Sequence, residues 1–255
     1  MIYEITETKN VIFLFDKWDE TLIWSCLQKI MGKIYANHLT CPTSAMAIIG
    51  DFIFFAGNPC AELITYKPDW CTQDFIIMVP QNKEWETMIV QLYGNKAKIV
   101  SRYATKKEPD IFNVQYLKTI AESLSNEYTI HKMDESFYHM CKSEKWSVDL
   151  VSLFKNDKEY CKWGLGIIIL KDHTIVSGAS SYSRYQEGIE IEIDTKKEYR
   201  QKGLASVCGA QLILECLKQH LYPSWDAQNE ISLALAKKLG YHYSHTYTAI
   251  EIWGY

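Results

Sequence analysis

Residues 188–206 of the 255-residue chain read GIEIEIDTKKEYRQKGLAS. Ile189, Ile191 and Ile193 alternate with Glu190, Glu192 and Asp194, and a period of two puts the isoleucines on one side of a strand and the carboxylates on the other. The apolar side is expected in a core and the acidic side open. The strand runs into a basic turn, Arg200-Gln201-Lys202-Gly203, and then into an apolar helix beginning at Leu204. Glycine lets the backbone come close to a ligand, and the unpaired amides of a helix start, aided by the helix dipole, attract anionic phosphate. The main chain of Gln201, Lys202, Gly203, Leu204, Ala205 and Ser206 is therefore the expected phosphate site, with Arg200 and Lys202 adding charge. A strand-to-helix turn with surface cations and no ligand is the plain alternative.

A second pattern follows. Asn229, a residue type suited to an N-cap, opens a helix that closes on Leu239-Gly240-Tyr241. Arg200-x-x-Gly203-x-Ala205 after a strand, then Asn229 through Leu239-Gly240-Tyr241, resembles the two signatures of the GNAT superfamily of N-acetyltransferases, in the family's order. The lead-in Trp225-Asp226-Ala227 is similar to a bacterial subgroup with an extra N-terminal domain. The resemblance spans roughly the C-terminal half. It implies an α/β (α+β) chain in which residues 126–255 form a GNAT fold, a mixed central sheet flanked by helices, preceded by an α/β domain over residues 1–125. A long hairpin followed by β-α-β in both halves suggests that the first is a degenerate GNAT-like repeat.

The function implied is acetyl-CoA-dependent N-acetyl transfer to a small amine or peptide amine, by direct attack of the neutral amine on the thioester. Such chemistry needs a held donor, a polarised carbonyl, a base for the ammonium proton and an acid for the leaving thiolate, and no metal. By similarity, the main chain of Ile191, Glu192 and Ile193 pairs with the pantetheine arm, and Asn229 joins the loop residues in contacting the coenzyme. Glu190 and Glu192 are the candidate bases, because a partly desolvated carboxylate can be tuned toward the working pH. Many GNAT enzymes carry a tyrosine four residues before the glycine of the second signature, where this chain has Ala236. Tyr241, Tyr243 or Tyr247, or water, then stands in as the acid, with Tyr243 the chosen candidate. A coenzyme A-binding regulatory module without efficient turnover, and a tandem-GNAT transferase using another acyl donor, are the rival readings.

The formal net charge of −4 and the lack of a Lys/Arg-dense tract argue against a nucleic-acid partner. No signal-peptide core or membrane-length apolar run is visible, which makes the expected location cytoplasmic, away from any membrane. The eight cysteines are scattered without a Cys-x-x-Cys pair, so reduced and largely buried thiols are expected rather than disulfides or zinc. A homodimer stays open.

Outside the decisive stretch, residues 10–36 have apolar positions at helical spacing and predict one helix. Residues 45–57 predict a hairpin turning at Gly50-Asp51, and Glu62–Tyr66 a further strand. Phe75–Val79, Asn82–Tyr93 and Ala97–Tyr103 read as β-α-β, and Ile111–Ser125 as a helix. Glu127–Met133 reads as a strand, 134–160 as mixed helix, and Leu165–Leu170 with Thr174–Ser181 as a hairpin. A strand over Leu221–Asp226, a helix over Glu230–Leu239 and a closing strand over Tyr241–Trp253 complete the pattern.

Overall fold

The computed structural model describes residues 1–255. In chain order the first elements are β1 (Tyr3–Glu4), α1 (Thr21–Leu27), β2 (Lys33–Ala36), β3 (Ser44–Ile49), β4 (Phe52–Gly57) and α2 (Ala61–Ile64). Next come β5 (Phe75–Pro80), α3 (Lys83–Tyr93), β6 (Ala97–Thr105), α4 (Val114–Ala121), β7 (Thr129–Lys132), α5 (Glu135–Ser143) and α6 (Asp157–Trp163). The chain continues through β8 (Gly166–Lys171), β9 (Thr174–Tyr185), β10 (Gly188–Thr195), α7 (Leu204–Lys218), β11 (Tyr222–Ser224), β12 (Asp226–Ala227), α8 (Glu230–Lys238) and β13 (Tyr243–Trp253).

Packing divides the chain into Met1–Arg102 with Thr246–Tyr255, and Tyr103–His245. The division differs from the boundary expected at residue 125. Leu117 and Ile120 of α4 lie in the core of the second unit, so the chain before 125 already belongs there. At the other end, Ile250 to Trp253 pair antiparallel with Phe75 to Met78 of β5, returning the last strand to the first unit.

In the first unit the expected hairpin forms. Ile49 faces Phe52, and Gly50 turns the chain with φ +58°. The order β1-β2-β3-β4-β5-β13-β6 places β13 between the two strands of the expected β-α-β unit. Asn82 caps α3 by accepting the Trp85 amide at 3.1 Å. The single helix expected over 10–36 is broken. Only Thr21–Leu27 is α-helical, Lys29 and Gly32 adopt positive φ (59° and 73°), and Ile34 enters β2. A side chain at Gly32 would come within 2.6 Å of Cys26 Sγ, so both the left-handed backbone and the space demand glycine. Glu62–Tyr66 does not form a strand either. The Cys60 carbonyl accepts the amides of Leu63 and Ile64, starting the short α2.

The second unit is a five-stranded sheet ordered β11-β10-β9-β8-β7, parallel between β10 and β11 and antiparallel elsewhere. Asp172 and His173, both left-handed, turn β8 into β9 as expected. The core of this unit joins Ile189 and Ile191 to Ile167, Ile169 and Ala179, and covers them with α7 and α4. Gly209 lets α7 sit close, since a Cβ there would lie 2.7 Å from Leu239 Cδ1 and 3.1 Å from Ile193 Cδ1. All eight cysteines are free thiols, five of them buried. No helix is long and apolar enough to cross a membrane.

Candidate active site

The site is built where β10 loses its neighbour. Parallel pairing joins Gly188 to Tyr222, Ile189 to Pro223 and Glu190 to Ser224, then stops. From Ile191 to Thr195 the outer edge of β10 has no strand beside it, while the departing chain pairs Asp226 and Ala227 with Ala104 and Tyr103 of β6. The parting is held by side chains. Thr105 Oγ1 donates to the Trp225 carbonyl at 2.6 Å, and the Asp226 amide donates to Glu190 Oε1 at 2.7 Å. Tyr222 Oη donates to the Lys106 carbonyl at 3.1 Å and Tyr241 Oη to the Pro223 carbonyl at 2.6 Å. Backbone groups that would otherwise require a β10 partner are thus satisfied without closing the gap. On the other side of β10 the register slips by one between Glu190, opposite Ser183, and Ile191, opposite Ser181, so that Tyr182 is an extra residue.

The expectation of an open acidic face needs correction. Glu190 is only 5% exposed, and Glu192 and Asp194 are half-buried. This face is roofed by the segment that carries α5, α6 and Leu150. Leu150 Cδ1 lies 2.7 Å from where a Gly178 Cβ would be, and Tyr160 of α6 bonds Ser180 at 2.7 Å. Burial, with the Asp149 charge second, pushes the Asp194 carboxyl up to about 6, opposed by Arg200 and the Thr195 backbone. Ser183, opposite Glu190 and on the same face, is fully buried with no hydrogen-bond partner for its hydroxyl.

The open edge of β10 leads through a short turn to the start of α7. Gly203 caps the helix in the left-handed region with φ +79°, and Gln201 is also left-handed at +62°. The first helical bond runs from the Val207 amide to the Gly203 carbonyl, leaving the amides of Leu204, Ala205 and Ser206 without intrahelical acceptors. No acidic residue lies in this first turn. A Cβ on Gly203 would meet nothing within 4 Å, so the space in front of it is open. Arg200 Nε donates to the Thr195 carbonyl at 3.1 Å, and Lys202 Nζ lies 4.8 Å from the centre of the Tyr199 ring. The structure thus gathers Arg200 to Ser206 around one helix start, at the end of the strand whose outer edge has no neighbouring strand beyond Glu190.

The ends of the second signature take up helix-capping roles. Asn229 Oδ1 accepts the Ser232 amide at 2.9 Å, an N-cap for α8, and Gly240, with φ +106°, ends that helix. Ala236 is fully buried in the core. Tyr241 is 1% exposed with its hydroxyl committed to Pro223, so burial holds its phenol well above the usual range and it is no proton donor to a ligand. Tyr243 is 39% exposed, with Lys237 Nζ 5.6 Å from its ring centre. Tyr247 falls in the first unit. Lys238, which sequence reasoning missed, donates to Ser206 Oγ at 3.1 Å. No spacing signals it, because it reaches the loop from the far end of another helix. Away from this groove, Glu135, His139 and Asp157 bring one ligand atom each within 4.8 Å of one another on the outside of α5 and α6. The His139–Asp157 pair, at 3.5 Å, is an ordinary surface ion-pair geometry.

Comparison with known proteins agrees with this architecture. Residues 12–250 match the GNAT acetyltransferase family. The match reaches well into the first unit, beyond the region carrying the two signatures. A Bacillus subtilis protein described as an uncharacterized N-acetyltransferase, YdfB, is 24% identical over 268 residues, covering 97% of each chain. The crystal structure of a GCN5-related N-acetyltransferase-like protein from Streptococcus suis superposes with a TM-score of 0.91 at 42% identity, over 96% of this chain and 98% of that one. A GCN5-related N-acetyltransferase from Kribbella flavida shares the fold, with a TM-score of 0.53 at 14% identity over 97% and 93% of the two chains. With a helix start free of acidic residues, a parted pair of strands leading to it, and a family match over nearly its whole length, the chain belongs to the GNAT acetyltransferase family and is an N-acetyltransferase.

Proposed function

We propose that this chain transfers the acetyl group of acetyl-CoA to the amine of a small molecule or peptide. The parting of β10 from β11 after Glu190 carries the reading. It leaves the outer edge of β10 beyond Glu190 with no strand beside it, on the strand that leads into the start of α7. A pantetheine arm, with its own amides, suits that edge as an added strand does. The diphosphate then meets the amides from Gln201 to Ser206, where the helix dipole and the charges of Arg200 and Lys202 favour it. Asn229 acts here through the α8 cap, keeping that helix beside the loop rather than by touching the coenzyme.

Glu192 is the better base of the two carboxylates. It is half-buried on the strand flanking the groove, whereas Glu190 has an oxygen engaged by the Asp226 amide and serves to hold the strands apart. Glu192 takes the ammonium proton directly or through one water, the neutral amine attacks the thioester carbon, and the thiolate leaves with a proton from Tyr243, an exposed tyrosine at the start of β13. Isothermal titration should show acetyl-CoA binding at one site per chain, and an amine panel should release thiol with acetyl-CoA as donor. Absence of binding rejects the donor assignment, and binding without thiol release from any amine rejects the transfer reaction.

A further inference from the structure

We propose that Lys238, from the last turn of α8, is a phosphate-binding residue of the donor site, at a position that neither signature specifies. The inference rests on the donor reading above and extends it to a group 35 positions beyond Gly203 in sequence. Lys238 Nζ donates to Ser206 Oγ at 3.1 Å, and Ser206 is the third residue of α7, one of those whose amide has no intrahelical acceptor. On the loop side of the same turn stands Lys202, resting on the Tyr199 ring at 4.8 Å. Neither lysine forms an ion pair, nor does Arg200, and the first turn of α7 has no carboxylate. Lys196, by contrast, pairs with Glu144 and Glu198, and Lys171 with Glu127.

A cation held by a hydroxyl keeps its full charge for an incoming anion. Lys202 and Lys238 therefore reach the helix start from different elements, one from its own loop and one from a separate helix. A phosphoryl group seated on the α7 amides can accept from Lys238 in place of, or together with, Ser206 Oγ. The ammonium bonds an anionic phosphate oxygen more strongly than it bonds the neutral hydroxyl. A purely structural role for Lys238 would be to offset the dipole at the C-terminal end of α8, which Lys237 in the same turn does equally well.

Titration calorimetry of the full chain with coenzyme A and with 3′-dephospho-coenzyme A, at low and high salt, separates these roles. Lys238→Gln is expected to weaken coenzyme A binding about five- to tenfold and to flatten the salt dependence of its Kd. Lys238→Arg should restore both, and Lys237→Gln should change neither. An equal loss for the two ligands places the contact on the diphosphate, and a loss confined to coenzyme A places it on the 3′-phosphate. Unchanged affinity in Lys238→Gln, or an equal effect of Lys237→Gln, overturns the proposal while leaving the donor reading intact. Failure of the unaltered protein to bind coenzyme A overturns the donor reading itself.

Discussion

Replacing Gly203 by alanine should separate the cost to folding from the cost to ligand binding. Gly203 sits at φ +79°, where a side chain is disfavoured by about 1–2 kcal/mol. Nothing lies within 4 Å of the added Cβ, so no steric term is added to that strain in the free protein. For a chain of this size the expected fall in Tm is about 2–8 °C. Binding should suffer more, because the Cβ occupies the open space that a phosphate must enter. Loss of one amide-to-phosphate hydrogen bond is worth about 1.5–3 kcal/mol, or roughly 10- to 150-fold in Kd. Gly209→Ala gives the opposite pattern. Its Cβ is driven against Leu239 Cδ1 and Ile193 Cδ1, costing about 1–3 kcal/mol of stability through overpacking with no change at the helix start. Differential scanning fluorimetry and calorimetric titration of both variants with acetyl-CoA make the comparison. Gly203→Ala binding as tightly as the unaltered protein, or unfolding outright, would refute the reasoning.

Other outcomes follow from the same geometry. Glu192→Gln should lower kcat about 100-fold or more with little change in acetyl-CoA affinity, whereas Glu190→Gln should mainly lower stability, by about 1 kcal/mol, as a charged acceptor for the Asp226 amide becomes neutral. The reverse pattern in steady-state kinetics and urea melts would exchange the two roles. Tyr241→Phe strands the buried Pro223 carbonyl and should cost about 1–3 kcal/mol while leaving thiol release active; loss of turnover in a folded variant would contradict it. Asp194, raised to about 6 from an unfolded value near 3.8, binds more protons folded than unfolded between those values, so its contribution favours the fold at low pH and is lost as pH rises through about 6. Asp194→Asn should accordingly be more stable than the unaltered protein at pH 8, by about 2 kcal/mol once solvent screening of the half-buried carboxyl is allowed for, with the gap closing toward pH 4 in denaturant titrations; a gap that widens on acidification would count against the burial of this carboxyl.

Much of the site could be read from residues because each local signal had a local cause. Asn229 announced a cap and Gly50-Asp51 a hairpin, and both stand in those roles, while Gly203, read as a point of close backbone approach, takes a left-handed turn with open space before it. Alternation in β10 identified the apolar side correctly, yet it could not report that the acidic side is roofed. Period-two patterning counts faces and not what covers them. The division of Tyr222–Ala227 into two strands was hidden for a related reason. A run of strand-formers does not reveal that Thr105 and Glu190, far off in sequence, hold its two halves in different pairings. Residues 10–36 misled because helical spacing there is interrupted by Lys29 and Gly32, whose left-handed backbone only the neighbouring strand β3 explains. The return of Ile250–Trp253 to the first unit is likewise a choice of partner that no single strand encodes.

A crystal structure with bound coenzyme A would test the central claim most directly. The account predicts the diphosphate on the amides between Gln201 and Ser206, with the pantetheine arm alongside Ile191 to Ile193 in the gap that opens after Glu190. A coenzyme seated elsewhere, or a gap closed by pairing of Ile191–Ile193 with the chain after Ser224, would contradict it.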